Sequence, residues 1–190
     1  KAIEIKPDYA MAHSNLGTIL SDLGNLEEAE LSYRKAIELK PDFAEAHSNL
    51  GNVLKDLDKS QEAENSYRRA IELKQNLAEA YLNLGSLFKD IYKYHEAINL
   101  YQEAINLDSN LSSAKLDIIS TRRIICDWND QDTKNDWLNS LGIEGAAINP
   151  WYLFALEDNP LKHLKRSQNL YKKKFSKEPF KLNSFKNNKI

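Results

Sequence analysis

Cysteine occurs once in the 190 residues, at Cys126, so no internal disulfide can hold the fold and a reducing compartment suits the chain. No run of 18 apolar residues is present, and the first residues lack the charged-then-apolar order of a secretory leader. Nothing therefore marks a membrane span or export, and the cytoplasm is the expected location. Six glycines, falling singly, make no phosphate-cradling loop. A net charge of −2 looks like a lack of charge, but it hides an asymmetry. Residues 161–190 hold ten Lys/Arg against Glu178 alone, a balance of +9, which leaves −11 for residues 1–160.

What the chain does have is repetition. AHSNLG begins at Ala12 and again at Ala46, and AYLNLG begins at Ala80, a spacing of 34 residues each time. Blocks set at 10–43, 44–77 and 78–111 keep the same character position by position. Leu16-Gly17, Leu50-Gly51 and Leu84-Gly85 recur, as do Ala29/Tyr33, Ala63/Tyr67 and Ala97/Tyr101, each followed by a further alanine, Ala36, Ala70 or Ala104. Pro7 and Pro41 close the partial block 1–9 and the first full one.

Ala12, Leu16, Ile19 and Leu23 share one helical face, as do Ala29, Tyr33, Ala36 and Ile37. Each block thus predicts two amphipathic helices, at 10–23 and 26–39, 44–57 and 60–73, and 78–91 and 94–107. No single pair can bury its apolar face alone, so the pairs must stack into an all-α solenoid. A degenerate end helix over 112–126 keeps Ala114 and covers the end of the stack. These positions resemble the tetratricopeptide repeat (TPR), a helix-turn-helix unit of the same period. Asp58 and Tyr92 depart from it where Gly24 makes the turn, and Gln75 and Ser109 replace the closing proline. The resemblance implies a right-handed superhelix whose first helices line a concave groove.

One stripe on each first helix lies about 130° from the packing face. It reads Asn15, Thr18, Asp22, then Asn49, Asn52, Asp56, then Asn83, Ser86, Asp90. A solvated helix face would tolerate the same residues. The functional reading is that asparagine, donor and acceptor at once, matches an extended peptide backbone. With packed elements about 8–10 Å apart and a strand rising about 3.3 Å per residue, each asparagine would meet a ligand every third residue or so. The aspartates would bias the groove toward basic or hydroxyl-bearing partners. The resemblance also offers a chaperone-tail clamp built on a cationic cradle. The positions that would form it hold Ser14, Thr18, Glu79 and Asn83, which give a carboxylate no such cradle.

After the repeats comes Cys126-Asp127-Trp128, then NPWYLFALEDNPLKHLKRSQNLYKKKF from Asn149 to Phe175. This junction resembles the passage from repeats to linker in O-GlcNAc transferase and Spindly-like glycosyltransferases. In that family an asparagine ladder at the positions of Asn15, Asn49 and Asn83 holds substrate peptides. The resemblance divides the chain into a repeat array, 1–126, and a helical linker with a basic tail, 127–190. The family's sugar-nucleotide-binding region would begin about where Ile190 stands. Animal members carry a histidine near the linker's proline; here Trp151 follows Pro150, so no catalytic role carries over. This chain is expected to be no enzyme itself and to use no cofactor or metal. Its expected role is that of a peptide- or protein-binding arm of such a glycosyltransferase. The alternative is a free-standing adaptor.

No other constellation points to chemistry. His13 and His47 are one repeat apart, too far to share a metal, while His95 and His163 have no ligand cluster around them. Cys126 has no base partner and is expected to be a buried thiol. The tail residues Lys162, Lys165, Arg166, Lys172, Lys173, Lys174 and Lys177, interleaved with Tyr171, Phe175 and Phe180, could meet nucleic acid or an acidic membrane. The spacing of Leu161, Leu164, Gln168 and Tyr171 favours a helix docking on its own protein instead.

Overall fold

In the computed structural model, residues 9–127, 143 and 160–174 are described. Of the partial block only Tyr9 is among them; Trp128, the Asn149–Trp151 stretch, Phe175, Lys177 and Phe180 lie outside. The chain divides into two compact units, Lys1–Trp128 and Asn129–Ile190. Every regular element among the described residues is helical.

The first unit holds α1 (Ala10–Asp22), α2 (Leu26–Leu39), α3 (Ala44–Asp56), α4 (Ser60–Leu73), α5 (Ala78–Asp90), α6 (Tyr94–Leu107) and α7 (Ser112–Ile124). The second helix of each pair occupies the expected span, and each first helix stops one residue short of it. The reason lies in the next two residues. The helix closes on Leu23, Leu57 or Ile91, and the residue after that takes positive φ: Gly24 at 79°, Asp58 at 59° and Tyr92 at 65°. Cys126 follows at 53°, the same place in the 34-residue frame after α7. It is exposed, not buried as expected. A left-handed turn residue projects away from the helix pair it joins, so the position dictates exposure whatever residue fills it.

Within each pair the fit depends on glycine against tyrosine. A Cβ on Gly51 would lie 2.6 Å from the Tyr67 ring, on Gly85 2.7 Å from Tyr101, and on Gly17 3.0 Å from Tyr33. Only a residue without a side chain lets these rings lie flat against the first helix. Ala29, Ala63 and Ala97 are wholly buried in the same seam.

Between pairs, each second helix packs on the next first helix, α2 on α3, α4 on α5 and α6 on α7. Leu50 and Val53 on α3, and Leu84 and Leu87 on α5, are buried. The same face of α1 is not: Leu16, Ile19 and Leu23 are 37%, 57% and 69% exposed. The expected packing face is thus filled only where a second helix precedes it, and no described element precedes α1.

The second unit contributes α8, Pro160–Lys174. Its expected docking face, Leu161, Leu164, Gln168 and Tyr171, is exposed. The least exposed stripe is instead Lys162, Arg166, Asn169 and Leu170, with Arg166 fully buried, the other three half-buried, and Asn169 Nδ2 donating to the Ile143 carbonyl. Spacings of four, seven and eight residues put these on one face as well. Arg166 is not without a partner there, which is what burial of a guanidinium requires.

Candidate peptide-binding groove

Successive first helices touch directly, α1 with α3, α3 with α5 and α5 with α7, whereas successive second helices do not approach one another to a comparable extent. The first helices are therefore the crowded, inner side of the stack. All nine stripe residues lie on these first helices, and none is buried.

They are not equivalent. The middle residues are partly spent on the fold. Thr18 Oγ1 donates to the Ser14 carbonyl at 3.2 Å and lies 3.0 Å from Tyr33 Oη, which leaves Tyr33 as the donor of that bond. One repeat on, Tyr67 Oη donates to Asn52 Oδ1 at 2.7 Å. In the third repeat Ser86, at the same position, instead accepts from Lys55 Nζ at 3.3 Å, and Tyr101 Oη is buried with no hydrogen-bond partner among the described residues. Burial pushes the pKa of all three tyrosines up, and Asp22, Asp56, Asp90 and Asp117 add to the effect. These are hydroxyls kept neutral.

Asp90 is also engaged, 3.6 Å from Lys55 Nζ. Asp117, at the ladder position of α7, takes a 2.6 Å bond from Lys89 Nζ, so the run of asparagines ends where an internal ion pair begins. Asp22 and Asp56 are exposed and make no ion pair among the described residues. Asn15 is exposed, and Asn49 and Asn83 are half-buried. No hydrogen bond occupies any of these three amides among the described residues. Sequence reasoning missed Lys55 and Lys89, although their 34-residue spacing, with Ser21 before them and Arg123 after, was visible.

The positions at which a chaperone-tail clamp would need a cationic cradle hold no basic group, as the sequence implies: Ser14 is buried, Thr18 is bonded to Tyr33, and Glu79 is exposed. His47 Nε2 lies 3.0 Å from the Pro41 carbonyl, which fixes the ring at the repeat boundary. Among the described residues no group of His, Cys, Asp or Glu is arranged to hold a metal, and no helix is long and apolar enough to cross a membrane. An open cleft of about 400 Å³ runs between α2 and α4 over Leu50. Its two arginines are already committed, Arg34 to Glu30 and Glu62 and Arg69 to Glu72.

A stack of antiparallel helix pairs that presents polar, unpaired groups along its inner side is a helical-repeat scaffold. Tetratricopeptide-repeat family profiles match residues 1–30, 17–58 and 42–110. The chain is a tetratricopeptide-repeat protein over residues 1–110. Among solved structures it is similar to MamA, with a TM-score of 0.64 at 22% identity over 92% of this chain and 85% of that one. It is also similar to the first TPR of Spaghetti (RPAP3) bound to an HSP90 peptide, with a TM-score of 0.59 at 21% identity over 62% and 93%. The Arabidopsis OM64 TPR domain aligns with a TM-score of 0.59 at 22% identity over 60% and 95%. At these identities the likeness establishes the fold alone. No curated protein matches the sequence.

Proposed function

We propose that the array binds extended peptide segments of other proteins along its inner surface, with Asn15, Asn49 and Asn83 bonding the ligand's backbone. One observation carries this reading. Three amides recur at one-repeat intervals on the first helices, none buried and none hydrogen-bonded among the described residues, while their stripe neighbours Thr18, Asn52 and Ser86 are engaged. A backbone-directed ladder reads no side chains, so the capture is tolerant of sequence. The similar TPR of Spaghetti is bound to a peptide, which supports peptide as the ligand class.

At a finer level, we propose that the array is the recognition arm of an O-GlcNAc-transferase-like glycosyltransferase. The support is the Cys126-Asp127-Trp128 sequence, which follows the last repeat in the chain, and the family's use of asparagines at the ladder positions. The coding sequence downstream of Ile190 tests it. A nucleotide-sugar transferase region is the expected finding. A stop codon or an unrelated domain overturns the assignment and leaves a free-standing adaptor.

A further inference from the structure

Lys55 shows how a cation sits on this groove. Its Nζ reaches one repeat onward, donating to Ser86 Oγ at 3.3 Å and lying 3.6 Å from Asp90 Oδ2. Lys89 likewise reaches onward to Asp117 Oδ1 at 2.6 Å. The α3 and α5 rungs thus neutralise the acids that follow them from within. One repeat earlier the corresponding acceptors are Asn52 and Asp56, and the residue that should reach them is Ser21. Its side chain is three heavy atoms shorter than lysine's and cannot span the gap between neighbouring helices, about 8–10 Å between axes. Asp56 is left exposed without a counter-ion among the described residues, as is Asp22. Asn52 Oδ1, which accepts from Tyr67, keeps a second lone pair.

We propose that the ligand supplies the missing cation. A lysine or arginine side chain of the bound peptide occupies, between α1 and α3, the place that Lys55 occupies between α3 and α5, with Asp56 and Asn52 as its acceptors. This rests on the peptide-binding reading above and adds a register to it. The groove selects one basic residue at the rung of Asp56 and none about three residues onward, at the rung of Asp90, because Lys55 is already there. Electrostatic complementarity of this kind sets partner choice more than affinity.

The test uses the full chain and a positional-scanning library of nine-residue peptides, comparing Lys and Arg with norleucine at each position. The wild type is expected to prefer Lys or Arg at a single position by about 3- to 5-fold, the scale of an exposed ion pair. Ser21→Lys should abolish the preference by filling the gap internally, and Asp56→Asn should abolish it by removing the acceptor. Lys55→Ser should add a second basic preference about three residues away. Circular dichroism confirms the fold of each variant; if Ser21→Lys misfolds, Asp56→Asn and Lys55→Ser decide. A basic preference that survives Asp56→Asn overturns the inference. Neutral peptides binding as well as basic ones overturns it too, while leaving the groove reading intact. If no peptide binds, or if binding ignores loss of all three ladder asparagines, both fall together.

Discussion

Two positions of the 34-residue frame are decided by single atoms. At the turn after each first helix the backbone is left-handed, with φ of 59° at Asp58 and 65° at Tyr92, where a Cβ is strained by roughly 1–2 kcal/mol. Asp58→Gly removes that strain at an exposed site without an ion-pair partner among the described residues. Glycine's greater freedom in the unfolded chain takes back part of the gain, so we expect a net stabilisation of about 0.5–1 kcal/mol, read as a higher urea midpoint. Where the first helix meets the tyrosine the sign is opposite. In Gly51→Ala the added methyl would lie 2.6 Å from the wholly buried Tyr67 ring, and overpacking costs about 1–3 kcal/mol against a helix-propensity gain of about 1. A lower urea midpoint and a disturbed Tyr67 environment in near-ultraviolet dichroism are the expected outcome; a more stable variant would mean that the ring has room to move. Both positions were partly legible in the sequence. Leu-Gly beside tyrosine announced close packing, and Asp58 and Tyr92 could be aligned with Gly24. Cys126 in the same register was missed because the sequence around it has lost the other repeat residues, so its thiol was expected inside when the turn geometry puts it outside.

The helices themselves were almost fully legible, because the spacing of alanine, leucine and tyrosine sets both their faces and their ends. What the pattern could not tell was which faces have neighbours. Leu16 and Leu50 are the same residue in the same motif, yet one is exposed and the other buried, since burial belongs to the element packed against them. The same limit explains α8, whose apolar residues marked one face while the least exposed stripe runs through Arg166. Charged contacts between elements were likewise unreadable from period alone. Glu30 on α2 accepts from Arg34 Nε at 2.8 Å and from Lys59 Nζ, at the start of α4, at 2.7 Å. Burial by itself would raise its pKa, but these two bonds outweigh it and hold the carboxyl below its ordinary value. Stability from this contact is therefore complete above the unfolded value of about 4.3 and is lost as pH falls through the lower folded value. Urea unfolding followed from pH 6 to pH 3 should show the wild-type midpoint falling more steeply than that of Glu30→Gln; parallel curves would mean that Glu30 contributes nothing between the repeats.

For the whole array, the period makes a continuous inner surface out of residues that no single helix could arrange. The ladder of asparagines was legible because it recurs beside the packing motif without serving it. The division of the stripe into spent and unspent groups was not, since it depends on which tyrosine hydroxyls and which lysines reach across from neighbouring elements. The groove that results is uneven along its length, with acids open at the α1 and α3 end and internally paired from α5 onward. Capture of an extended chain by three amides is the central claim. Its most direct measurement is the affinity of the wild type and of the Asn15→Ala, Asn49→Ala, Asn83→Ala triple variant for a peptide selected from the library, with helical content checked by circular dichroism. At about 0.5–1.5 kcal/mol per hydrogen bond, loss of three amides that each donate and accept should weaken binding by on the order of 100-fold or more. The same affinity in a fully helical triple variant would contradict it.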